Sequence, residues 1–147
     1  LPVTHAGELT SEARARARQM LRKQLRPTDE ILDIWFGRLM TEPKPWLRPV
    51  PPARRCTPTT LKSRLKAGRS LRWHPATRVA WFGSRHASHL FVDGMHHALP
   101  TRLAAFARLL GDSRVMEASA LRHHISNPAA ASLLLDLIDA GQCTWSR

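Results

Sequence analysis

Acidic side chains, cysteine and aromatics are all scarce in this sequence, and long apolar runs are missing. Eleven Asp and Glu stand against 23 Lys and Arg, a formal charge of +12 in 147 residues. Such an excess attracts polyanions: nucleic acid, ribosomal RNA or acidic membrane surfaces. It amounts to +5 over residues 1–56 and +7 over 57–147, so no basic tail carries it. The two cysteines, Cys56 and Cys143, lie far apart without C-x-x-C spacing. That excludes a cysteine zinc module, offers no disulfide framework and fits a reducing compartment. No apolar run approaches the roughly 20 residues that span a bilayer, and no charged-then-apolar leader is present. A cytoplasmic location without a membrane partner is therefore expected.

Catalytic signatures are missing too. Eight histidines invite a metal reading, yet none is followed two positions on by Asp or Glu, the local pair that starts a facial triad. His96-His97 and His123-His124 are adjacent pairs, whose side chains diverge on a strand or a helix. Asp136 and Asp139 read as solvating the outer side of the last helix. There is no glycine-rich phosphate loop, Gly-x-Ser-x-Gly elbow or local Cys-His motif. No catalytic residue and no metal ligand is assigned, and the histidines read as surface and wing residues.

What is present begins with helices. From Glu8 to Leu25, apolar Leu9, Ala13, Ala17, Met20, Leu21 and Leu25 recur at helical spacing, with Arg14, Arg16, Arg18, Arg22 and Lys23 expected to form a basic outer face. Thr28 then caps a second helix reaching Met40 that is apolar on nearly every side. One neighbour cannot cover such a helix, so Ile31, Ile34, Trp35 and Leu39 are candidates for a dimer interface, and a homodimer is expected.

Residues 42–52 hold five prolines, which forbids helix and central strand alike, so 42–56 is read as a linker. Thr57-Pro58 opens a third helix stopped by Gly68. Ser70 to Leu99 reads as a strand meander closed by the hairpin signal Asp93-Gly94, and Trp145 in the tail is expected to add a strand to that wing. Helices follow from Pro100, around Met116–His124, and from the Asn127-Pro128 cap to Gly141. The fold class is α+β: a helical dimerisation segment (1–41), the proline-rich linker (42–56) and a winged-helix-like domain (57–147) with a small antiparallel meander.

Lys62, Lys66, Arg69 and Arg72 are candidates for a polyanion-binding stripe, although cations also simply solvate a helix face. The last helix carries Asp136 and Asp139 with no Lys or Arg, which disfavours it as a major-groove reader. Nonspecific attraction to RNA or ribosomal surface suits the charge better.

The run from Phe36-Gly37 through Thr41-Glu42-Pro43-Lys44, the proline linker, Leu61 to Gly68, the wing with Phe91-Val92-Asp93-Gly94, and Leu133 to Gly141 with Trp145 resembles the C-terminal half of the bacterial JmjC-type, cupin-4 ribosomal oxygenases. Those enzymes are arginine hydroxylases acting on a large-subunit ribosomal protein. The resemblance implies a parent enzyme whose upstream cupin half binds Fe(II) and 2-oxoglutarate, with dimerisation helices and a winged helix following. It implies that this chain binds neither cofactor, since no position matches the family's iron-binding pattern. The start at Leu1 without methionine is read the same way, as an excised or truncated region. A stand-alone basic winged-helix protein that binds nucleic acid through Lys62, Lys66, Arg69 and Arg72 is the alternative.

Overall fold

The computed structural model describes residues 5–25 and 28–146. The fold is α+β, with helices α1 (Ser11–Leu25), α2 (Asp29–Met40), α3 (Pro58–Lys66), α4 (Ala104–Asp112), α5 (Ala118–His124) and α6 (Pro128–Asp139). Its strands are β1 (Leu71–Trp73), β2 (Val79–Gly83), β3 (Ala87–Val92), β4 (Met95–Pro100), β5 (Val115–Met116) and β6 (Cys143–Trp145). They form two antiparallel three-stranded sheets, β2-β3-β4 and β5-β1-β6. Two compact units result, and each is built from separated stretches: unit 1 is residues 1–43 with 78–112, and unit 2 is 44–77 with 113–147. The partition thus differs from the continuous one read from the sequence (1–41, 42–56, 57–147).

In unit 1 the hairpin forms where it was expected. Asp93 (φ 47°) and Gly94 (φ 81°) both take the positive φ that a type I' turn demands. The turn sets the register Val92↔Met95, Phe91↔His96 and Leu90↔His97. Helix α4 and helix α2 both pack on this sheet, and α1 packs on α2. Ala80, Phe82 and Phe91 join Leu9, with Ile34 and Phe36 of α2 against them. Covered on both faces, β3 is buried from Ser88 through Val92, so the meander is the centre of a core rather than an exposed wing.

Two expectations about α1 fail. The chain does not turn helical at Glu8: Leu9 N–H donates to the Trp81 carbonyl at 3.0 Å and Trp81 N–H to that of Gly7 at 2.8 Å. This pairs the segment with β2, and the helix begins after Thr10, whose hydroxyl accepts from Ala13 N–H at 3.3 Å. Nor is the arginine face turned to solvent throughout. Arg18 Nη1 reaches both oxygens of Asp33 at 2.8 and 2.9 Å, and Arg14 Nη1 reaches one at 3.2 Å. Met20, expected inward, is 76% exposed. A buried carboxylate on α2 recruits the arginines, and the helix rotates to suit it.

Unit 2 packs α3 against α5 and α6, burying Leu61, Leu65, Leu121, Leu134 and Leu137. The caps are those read from the sequence: Thr57 Oγ1 accepts from Thr60 N–H at 3.1 Å, and Asn127 Oδ1 from Ala129 N–H at 3.0 Å. The tail strand β6 pairs with β1 in the β5-β1-β6 sheet and does not join the meander. Asp139 is more than a solvating acid, since its Oδ1 accepts from Cys56 N–H at 2.7 Å.

Candidate functional site

On α2 the positions Ile31, Trp35 and Leu39 recur every four residues and lie on one stripe. They are 58%, 45% and 46% exposed. Ile34, read with them from the sequence, is set apart from the stripe: it is half-buried against the Leu9, Ala80, Phe82 and Phe91 cluster of its own unit. Gly37 lies on the inner side, where a Cβ would come within 2.4 Å of the Phe91 ring. Thr41 ends the helix and ties it to the hairpin tip, its hydroxyl donating to the Gly37 carbonyl at 2.9 Å and accepting from Gly94 N–H at 3.1 Å. The tie places exposed Met95 beside Trp35 and Leu39 in a shallow groove of about 350 Å³. An apolar stripe closed at one end by a rigid turn is an element suited to pairing with another apolar surface.

Beneath the other side of α2 lies an arrangement that the sequence reading missed. His89 Nδ1 and His96 Nε2 are 2.8 Å apart and share a proton. The rings stack in a continuous series, Phe82 on His89, His89 on His96 and His96 on Phe91, at 4.5, 5.1 and 5.0 Å between centroids. Arg14 caps the series, with its guanidinium carbon 4.5 Å from the Phe82 centroid. Burial holds both histidines below their ordinary range; His96, further opposed by His89, Arg38 and His97 against a weaker pull from Glu30, is lowered to about 4. The signal was available, because a two-residue turn at 93–94 puts 89 and 96 on one face in diagonal register.

These residues do not fit an iron site. Among the described residues no group of three His, Cys, Asp or Glu side chains is placed to hold a metal ion. The lone pair with which one ring of the His89–His96 pair accepts its partner's proton points at that partner, not at an ion. Neither thiol is poised as a nucleophile: burial raises Cys56, with partial relief from Arg64, and raises the deeply buried Cys143 strongly.

In unit 2, Lys62 and Lys66 are exposed on α3. Arg69 lies just beyond the helix, its Nε donating to the Ser146 carbonyl at 3.0 Å, and Arg72 alternates outward on β1 between buried Leu71 and Trp73. The structure brings none of the four into a common hydrogen-bonded site.

The family described as ROXA-like winged helix matches residues 19–144. The chain belongs to this ROXA-like winged helix family. Solved structures share its fold. The ribosomal oxygenase YcfD from Escherichia coli aligns over 100% of this chain and 39% of its own, at 20% identity and a TM-score of 0.71. The same enzyme in complex with cobalt and 2-oxoglutarate gives the same figures, and its complex with cobalt and succinic acid gives a TM-score of 0.69. This ROXA-like chain therefore spans less than two fifths of the length of those structures. No curated protein matches it by sequence. Among its described residues no helix is long and apolar enough to cross a membrane.

Proposed function

We propose that this chain is the dimerisation and winged-helix accessory region of a cytoplasmic, Fe(II)- and 2-oxoglutarate-dependent JmjC-type oxygenase that hydroxylates an arginine of a ribosomal protein. The observation that carries this reading is a fold shared along the whole chain with a ribosomal oxygenase, in a chain of the ROXA-like winged helix family. YcfD is described with cobalt and 2-oxoglutarate bound, which supports that cofactor pair for the parent enzyme. In this reading the chain's share of the work is assembly, and no chemical step is assigned to it.

Assembly falls to the α2 stripe. Ile31, Trp35 and Leu39, with Met95 at the hairpin tip, form the apolar surface of a homodimer, while Ile34 supports the stripe from within. Trp35→Asp puts a charge at the centre of that surface. Sedimentation should show a dimer for the wild-type chain and a monomer for the variant; a wild-type monomer would remove the assembly role. The catalytic assignment is tested in cells. Deleting the gene should leave one large-subunit ribosomal protein lighter by one oxygen atom, mapped to an arginine by fragmentation. Unchanged ribosomal-protein masses would sink it. Lys62, Lys66, Arg69 and Arg72 are read as general attraction to ribosomal RNA, which requires no built pocket.

A further inference from the structure

Unit 2 carries most of the molecule's charge. Its two stretches hold twelve Lys and Arg against three Asp and Glu, and residues 44–77 contain nine of those cations without a single acid. Among the described residues the ion pairs of Lys and Arg with carboxylates all fall in unit 1, joining Arg14, Arg18 and Arg22 to Asp29 and Asp33. The positive field of unit 2 is thus offset by no ion pair among the described residues, and concave ground within it concentrates that field.

Such ground exists. A groove of about 530 Å³ is lined by Arg54, Arg55 and Arg64 together with Trp145, Cys56 and Thr60, within the size range of small-ligand sites. The Arg64 guanidinium carbon sits 5.3 Å from the Trp145 ring centroid. Trp145 is half-buried, and β6 anchors it by pairing opposite Leu71. Asp139, whose Oδ1 accepts from the Cys56 amide at 2.7 Å, sets one carboxylate against the three arginines of the groove, and burial raises the Cys56 thiol so that it adds no second negative charge.

We infer that this groove binds a single-stranded nucleic acid, with backbone phosphates on Arg54, Arg55 and Arg64 and one splayed base against the Trp145 indole. Arginines and a fixed indole in one groove are the two components that single strands require: charge along the backbone and a π-face for a base. A duplex keeps its bases stacked and has no face to offer the indole. The inference goes beyond general attraction by naming a groove separate from Lys62, Lys66, Arg69 and Arg72. It does not depend on the oxygenase reading, although that reading makes RNA the natural source of the strand.

The test uses the full chain and a fluorescein-labelled strand of about 12 nucleotides, made as RNA and as DNA of one sequence, with anisotropy followed from about 50 to 200 mM salt. Binding should weaken steeply with salt, and a stronger RNA arm identifies the natural source. Arg54→Gln with Arg55→Gln lies in exposed irregular backbone and should lower the salt slope by about 1 to 2. Trp145→Ala should cost roughly tenfold in affinity while leaving the slope in place, and Trp145→Phe should restore most of it. Arg16→Gln, exposed in unit 1, should change nothing. Wild-type affinity in both the arginine pair and the Trp145 variants would overturn the inference and leave only diffuse attraction. Tighter binding of the matching duplex would overturn it as well. So would preference for phosphatidylserine vesicles, which exposed Trp46, Leu47 and Val50 would engage. Failure of the groove leaves the oxygenase reading standing, since that is judged by ribosomal-protein mass.

Discussion

A carboxylate only 6% exposed, as Asp33 is, persists in an apolar helix because two guanidiniums face it. Arg14 is the more constrained partner: it also donates through Nε to the Leu9 carbonyl at 3.1 Å and lies over Phe82. Asp33→Ala leaves two cations half-buried without their acceptor, and a loss of about 2–3 kcal/mol is expected in urea unfolding. Asp33→Asn, which keeps an acceptor but not the charge, should lose less. The His89–His96 pair gives a pH signature. With its folded pKa lowered to about 4 from an ordinary 6.5, His96 is preferred neutral by the fold, and His89 is shifted the same way. The unfolded chain therefore binds more protons between those values, so stability falls as pH drops from about 6.5 towards 4 and is insensitive to these groups above that window. A urea midpoint that declines through this range in wild type, and declines less in His96→Gln, would establish the pair as the cause.

At the scale of elements, the hairpin was legible because its demand is local: two positive φ angles, met by Asp93 and Gly94, fix every pairing of β3 with β4. Gly94→Ala should cost about 1 kcal/mol through strained φ alone, since the nearest atom to an added Cβ, on Pro43, is 3.6 Å away. Gly37→Ala should cost more, about 1–3 kcal/mol, because its Cβ would enter the Phe91 ring; paired thermal melts of the two variants check the order. The caps at Thr57 and Asn127 were readable for the same local reason. The face of α1 was not, because periodicity ranks Met20 above Arg14 for burial and cannot anticipate that Asp33 would be enclosed. The destination of β6 was also hidden: a strand of three residues carries no local mark of which edge it joins. The apolar excess of α2 was visible at once, but separating the inner Ile34 from the outer Ile31, Trp35 and Leu39 required knowing where Phe91 and Phe82 stand.

For the whole molecule, the interleaved partition explains why a continuous reading of domains differs from the structure. Each unit closes only when a second stretch returns to it, residues 78–112 to 1–43 and 113–147 to 44–77, and neither return has a linker-like composition to announce it. The partition also exposes what an average over the sequence conceals. Charge divided at residue 56 looks even, whereas by unit it is +3 against +9. Unit 2 must therefore fold against its own repulsion, while the pairs of Arg14 and Arg18 with Asp33 and of Arg22 with Asp29 help unit 1. Salt acts with opposite sign on those two situations: it screens the repulsion in unit 2 and weakens the exposed Arg22–Asp29 pair in unit 1. Amide hydrogen exchange at low and high salt distinguishes them in one sample. Amides buried in unit 2, such as those of Leu65, Leu121 and Leu137, should gain protection as salt rises from about 20 mM to 0.5 M, over which the Debye length falls several-fold. Those of Leu90 and Phe91 in unit 1 should gain less or lose. Equal gains in both units would mean that the charge excess of unit 2 imposes no folding cost, and its retention would then need no ligand to offset it.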